Sequence, residues 1–290
     1  FDKDDAAKRD NVIREMIQPM VNAAVADDMH AFALTDHGVM FGVTEFYKKA
    51  RQAGIKPILG VEAYIVREGS RFDRGTDSPV NGRRRGKGYF HIVLLAKNET
   101  GYRNLVKLTS IGHKEGFYYK PRIDYEVLRK YSEGIICTSA CLSGPVSVPL
   151  LNNDYDKARE TAITYREIFG DDFYLEVQDH GLEKDKPILE GMPKLSKDLG
   201  IKLIATNDIH YIEQEHAIAH NILLLLGDKT GTANHLDLRY KTDQIYFKST
   251  QEMKELFKNF DGAIENTLEI EEKINFELDF NTFHYPTFPI

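Results

Sequence analysis

Long apolar runs are missing from this chain of 290 residues. None approaches the roughly 20 residues that a membrane-crossing helix needs, and no signal-peptide pattern opens the chain. Cysteine is scarce: only Cys137 and Cys141 occur, in no zinc-ribbon or disulfide-rich spacing. Two thiols placed so fit a reducing, cytoplasmic setting, where a lone thiolate serves as a ligand or a core residue. Positive charge is in deficit as well. A net charge of −7 argues against a protein that coats duplex nucleic acid over its whole surface. There is no G-x-x-x-x-G-K-[ST] loop and no G-x-S-x-G elbow, which leaves nucleotide-cradling and serine-hydrolase chemistry without support. Histidine is absent until His30.

What is present is an ordinary globular composition, 42% hydrophobic and 11% aromatic. One pattern recurs along it. Apolar, β-rich runs lie at 30–37 (HAFALTDH), 55–66 (IKPILGVEAYIV), 90–98 (FHIVLLAKN), 134–142 (GIICTSACL), 172–180 (DFYLEVQDH) and 200–210 (GIKLIATNDIH). Helical patterns follow at 38–54, after 98, at 154–169 and at 184–199. Strands alternating with helices of this length predict parallel βαβ units with the sheet covered on both faces, hence an irregular (β/α) barrel. Such barrels build their sites at the carboxyl ends of the strands. His91 departs from that rule by opening its run, which predicts either a locally reversed strand or a distorted barrel.

Three regions stand outside the pattern. Residues 1–20 carry no strand; Asp10 is placed to cap a helix starting at Asn11, which Pro19 would kink or restart. Residues 67–88, rich in Gly and Arg, read as a surface loop whose Arg83-Arg84-Arg85 run and Lys87 are either solvated or in contact with phosphates. Residues 241–290 read as a helical appendage and linker, with a capping box of Ser249 and Glu252. The barrel proper is then 21–240.

The residues at the run ends are His37, Glu62, His91, Cys141, Asp208 and His210, with Asp36 and His180 beside them. Imidazole, carboxylate and thiol form the ligand set of zinc and related divalent metals. Asp208 and His210, two apart, point the same way from a strand and can share a metal. Glu62 lies inside an apolar run, where burial without a partner costs on the order of several kcal/mol and a metal removes the penalty. The plainer readings are a hydrogen-bonded structural histidine, a buried small thiol at Cys141, and Asp36-His37 as a cap for the following helix. His30, His113, His216, His220, His235 and His284 are expected to be structural or at the surface. Clustered metals at a barrel mouth suit phosphate-ester hydrolysis.

The segments ALTDHGVMFGVTEFYKKARQAGIKPILGVEAYIV, HIVLLAKNETGYRNLVKL, EGFYYKPRIDYEVL, EGIICTSACLSG, DFYLEVQDHG and IATNDIHY closely resemble the PHP (polymerase and histidinol phosphatase) domain, in the form carried by the alpha subunit of bacterial DNA polymerase III. ENTLEI and YPTFPI resemble the handover from that domain to the palm. The likeness covers roughly residues 21 to 290. It implies a distorted seven-stranded, TIM-like barrel with a trinuclear metal centre of zinc, manganese or iron. It also implies phosphodiester hydrolysis at DNA 3′ ends in metal-competent members. In other members the domain is an inert scaffold that stabilises the polymerase and docks the proofreading exonuclease and other replisome subunits. His37, Glu62, His91, Cys141, Asp208 and His210 match the family's ligand positions, with Glu62 bridging metals; Asp36 and His180 adjoin them. The family's first motif, an H-x-H pair on strand one, has no counterpart in residues 1–20. The expectation is therefore a barrel whose first strand is missing or altered, with room for one or two metals. A free-standing phosphatase is the remaining alternative, disfavoured by the handover segment.

Overall fold

The computed structural model describes residues 16–74, 88–226, 241–283 and 285. The Arg83–Arg85 run, Lys87, His235, His284, Asp10 and most of YPTFPI lie outside them. A first helix, α1, covers residues 16–26, with Pro19 in its first described turn. The chain continues through β1 (Ala31–Leu34), α2 (Val43–Gln52), β2 (Lys56–Val66), β3 (Tyr89–Ala96), α3 (Glu99–Lys114), β4 (Phe117–Tyr118), β5 (Lys120–Ile123), α4 (Tyr125–Lys130) and β6 (Ile135–Thr138). It ends through α5 (Ser147–Leu151), α6 (Tyr155–Phe169), β7 (Phe173–Val177), α7 (Lys186–Leu199), β8 (Leu203–Ala205), α8 (Ala217–Leu226), α9 (Thr250–Leu256) and α10 (Glu265–Lys273).

The helices follow from ordinary rules. In α2, Val43, Phe46, Tyr47 and Ala50 recur at the spacing of one helix face and all are buried. In α7, Ile188, Met192, Leu195 and Leu199 do the same. Asn98, Asp124 and Asp154 cap α3, α4 and α6 by accepting backbone N–H bonds. Ser249 and Glu252 form the capping box at α9.

The sheet runs β4-β5-β2-β3-β6-β7-β8, with β1 also on β2. β2 is the hub. One edge carries β3; the other is shared by β1, paired to Lys56–Leu59, and β5, paired at Tyr64 and Ile65. β1, β2, β5, β6, β7 and β8 point one way, whereas β3 is antiparallel to both β2 and β6. The reversed strand anticipated from His91 is thus present: the start of β3 lies at the end where its neighbours finish. The β4–β5 hairpin was not anticipated from the sequence. The whole is an α/β fold with a curled sheet, a distorted TIM-like barrel.

Side-chain alternation divides the strands into an outer and an inner face. The outer face packs under α3–α7 in the largest core cluster. On the inner face, Ile58, Leu95, Ile136, Tyr174 and Ile204 form an apolar floor together with Ile270 of α10 and the following Ile274. Residues 241–283 are accordingly built into the barrel: Phe247, Phe257, Ala263, Ile270 and Ile274 are all buried. Moving along the same inner face toward the strand ends, the residues turn polar: Glu62, Thr138, Glu176, Gln178 and Thr206. Among the described residues no ladder joins β1 to β8, and a cavity of about 720 Å³ bordered by both strands reaches the polar end of the barrel.

Candidate metal centre

Glu62 sits near the middle of β2, buried at 5% exposure. The chain leaving β1 makes one further bridge with it, His37 opposite Glu62. Gly38 N–H donates to Glu62 O at 2.9 Å and Glu62 N–H to Asp36 O at 3.1 Å. These bonds hold the His37 imidazole beside the carboxylate, Nε2 to Oε2 at 3.4 Å. On the opposite edge His91 pairs with Tyr64, which makes it the diagonal neighbour of Glu62 on the same face. His91 Nδ1 lies 2.5 Å from Glu62 Oε1. Donor atoms of His37, Glu62 and His91 all fall within 4.8 Å of one another, a group able to hold a metal ion.

Cys141 comes from the turn after β6. That turn is pinned by Gly144 N–H on Cys141 O and by His91 N–H on Ser143 O. It brings Sγ to 3.9 Å from Glu62 Oε1 and 4.0 Å from His91 Nδ1. Asp208 and His210 follow β8. Asp208 adopts a left-handed φ of 48°, uncommon for a residue with a side chain. His210 Nδ1 lies 2.7 Å from Asp208 O, as its donor, and its ring is 6.1 Å from that of His37. His37, Glu62, His91 and Cys141 therefore gather at the polar end of the barrel, His210 stands beside His37, and Asp208 lies close enough for Glu62 to act on its carboxyl.

The two neighbours do otherwise. Asp36 lies before the entry to α2, where burial raises its carboxyl and the Gly42 backbone opposes the shift, and α2 begins without a side-chain cap. His180 is buried and its Nε2–H donates to Asn207 O at 3.1 Å, steadying the turn that carries Asp208.

The electrostatics are those of a site crowded with anions. Burial, then Glu62, raises the Asp208 carboxyl to about 6. Burial, then Asp208 and Glu62, pushes the Cys141 thiol well up. Burial lowers His37, with Glu62 opposing, so its imidazole is neutral and able to coordinate at neutral pH. A divalent cation reverses this logic by favouring the ionised carboxylate and thiolate. The donor set of nitrogen, sulfur and carboxylate oxygen fits such an ion.

Sequence reasoning missed three residues at this end. Glu176 is as buried as Glu62 and accepts from Thr138, Thr206, Ala140 N–H at 3.1 Å and Gln178 at 2.9 Å. Its signal was available, a carboxylate inside the apolar run FYLEV. Lys248, buried at the cavity wall, donates to Asn207 Oδ1 at 3.1 Å. Lys120 places its ammonium 5.2 Å from the Tyr64 ring centre, on the His37 side.

Among the described residues, no helix is long and apolar enough to cross a membrane. Residues 14–180 match the family model described as PHP domain. DNA polymerase III subunit alpha of Borreliella burgdorferi is 44% identical over 94% of this chain and 23% of its own length. That of Treponema pallidum is 44% identical over 89% of this chain and 22% of its own. The Thermus aquaticus protein is 40% identical, over 90% and 21%. The chain spans less than a quarter of the length of these relatives. A match across more than half of its residues, carried by strands that gather imidazole, carboxylate and thiol at one end of a distorted barrel, makes this chain a member of the PHP domain family.

Proposed function

We propose that this chain is the PHP domain of a DNA polymerase III alpha subunit and that its six clustered side chains hold one or two divalent ions, zinc first, manganese or iron next. The reaction class we assign is hydrolysis of a phosphodiester at a DNA 3′ end. The observation that carries this reading is the buried Glu62 carboxylate set between His37 and His91, with Cys141 in contact. A bound divalent ion supplies a coordinated water of lowered pKa and positive charge against the phosphoryl oxygens. Glu62 presents one oxygen toward His37 and the other toward His91, so it would hold a bound ion together with either imidazole. His210 is oriented through its Asp208 carbonyl contact.

The test is a 5′-labelled, 3′-mispaired oligonucleotide incubated with the metal-loaded chain. Stepwise shortening that disappears with chelator and in Glu62→Gln is the expected outcome. Absence of shortening, or shortening that persists in Glu62→Gln, contradicts hydrolysis at this centre. A scaffold that docks the proofreading exonuclease and other replisome subunits is the second reading. It expects the oligonucleotide to be untouched.

A further inference from the structure

The β4–β5 hairpin abuts the metal centre on the His37 side. β5 takes the edge of β2 where the His37 bridge leaves it. A Cβ at Gly38 would lie 2.8 Å from Pro121 Cγ, so the two segments are in tight contact. His113 Nε2 meets Gly38 O at 3.0 Å and its ring stacks on Phe117. The hairpin is held from beneath: Arg122, only 3% exposed, donates to Gly116 O at 3.1 Å, Arg71 O at 3.2 Å and Asp73 O at 2.8 Å. A buried cation thus spends its donors on positioning this element.

What it positions is apolar and exposed. Tyr119 is 77% exposed at the hairpin tip and Phe117 is 55% exposed. Tyr119 has φ 59°, a left-handed conformation that a bulky residue rarely adopts. Among the described residues the exposed large aromatics are Phe41, Phe72, Phe117, Tyr119 and three beyond residue 279. The first four all belong to segments joined to this hairpin: Phe41 lies three residues past Gly38, and Phe72 follows the Arg71 carbonyl that Arg122 holds. In the hairpin register Phe117 pairs with Pro121 and Tyr118 with Lys120, so Phe117 and Lys120 occupy opposite faces with Tyr119 at the tip between them. Exposed aromatic rings stack on unpaired bases, and a cation reached around such a tip meets a backbone phosphate. A duplex offers no exposed base faces to such a platform.

We propose that this hairpin binds the single-stranded 3′ end of the DNA presented to the metal centre, Tyr119 and Phe117 stacking on bases and Lys120 meeting a phosphate next to His37. The proposal rests on the phosphodiester reading of that centre and names how its substrate is held.

The test is binding of fluorescein-labelled dT12 to the 290-residue chain by anisotropy, at low salt in chelator, so that hydrolysis plays no part. Tyr119→Ala and Phe117→Ala should each weaken binding about tenfold, Tyr119→Phe should keep it, and Lys120→Glu should weaken it further. A blunt duplex should bind at least about tenfold more weakly than dT12. Melting temperature serves as the folding control. Binding by Tyr119→Ala within about twofold of the parent chain, in protein that melts normally, overturns the proposal. Absence of dT12 binding by the parent chain overturns it equally. Hairpin-dependent binding without any shortening of an oligonucleotide by the metal-loaded chain leaves the platform standing and removes hydrolysis. Shortening with hairpin-independent binding does the reverse.

Discussion

Asp208 shows most clearly what this site costs the chain that carries it. Its carboxyl stands at about 6, raised by burial and then by Glu62, against an ordinary value of 3.8. The folded state therefore holds this proton more tightly than the unfolded state. By linkage, stability falls as pH rises from about 4 to about 6, and the loss persists above that range. The amount is on the order of 2–3 kcal/mol at pH 7. In metal-free protein, Asp208→Asn should raise urea-unfolding stability by about 1–3 kcal/mol at pH 7 and leave it nearly unchanged at pH 4. Equal effects at the two pH values would contradict the assignment. Cys141 carries the companion prediction. Its thiol is pushed up by burial and by Asp208 and Glu62, so loading an ion at pH 7 should release protons into a weak buffer, and fewer from Cys141→Ser.

At the scale of elements, the centre depends on two joints. Gly38 has φ 68°, and an added Cβ would lie 2.8 Å from both Pro121 Cγ and Tyr64 Cε2. Gly38→Ala should cost about 1–3 kcal/mol in thermal or urea unfolding and weaken ion affinity by displacing His37. The other joint is α10. Ile270 closes the apolar floor against Ile58, Ile136 and Ile204, and Ile270→Ala should cost about 2–4 kcal/mol, measured the same way. A cost below about 0.5 kcal/mol would mean that residues 241–283 are peripheral after all. The runs at 30–37, 55–66, 90–98, 134–142, 172–180 and 200–210 each contain a strand, but β6 and β8 stop before Cys141 and Asp208, so the strand expected to aim Asp208 and His210 the same way is a turn with Asp208 left-handed. The reversal of β3 was legible only through the odd place of His91, since periodicity carries no direction. The hairpin of β4 and β5 was not legible. FYYKPRI is too short to alternate, holds a proline, and draws its stability from Arg122 reaching carbonyls about fifty residues away in sequence. Glu62 was legible as a carboxylate inside an apolar run; Glu176 carries the same signal in FYLEV and differs only in being satisfied by the Thr138 and Thr206 hydroxyls.

For the molecule as a whole, His37, Glu62, His91 and Cys141 come from β2, β3 and the segments after β1 and β6, and they come together only when the curled sheet is built. An ion that binds them is consequently linked to folding and stabilises the native state by mass action. Burial and the mutual proximity of Glu62 and Asp208 raise the Asp208 carboxyl and the Cys141 thiol, an environment that a bound cation would relieve. The most direct measurement is metal content. The 290-residue chain, prepared without metal-affinity resin, would be loaded with zinc or manganese, desalted, and assayed by inductively coupled plasma mass spectrometry. At least one equivalent, falling sharply in Glu62→Gln while the protein stays folded, is the expected result. A folded chain that keeps almost no ion, or a Glu62→Gln variant that keeps as much as its parent, would contradict a metal centre built on these residues.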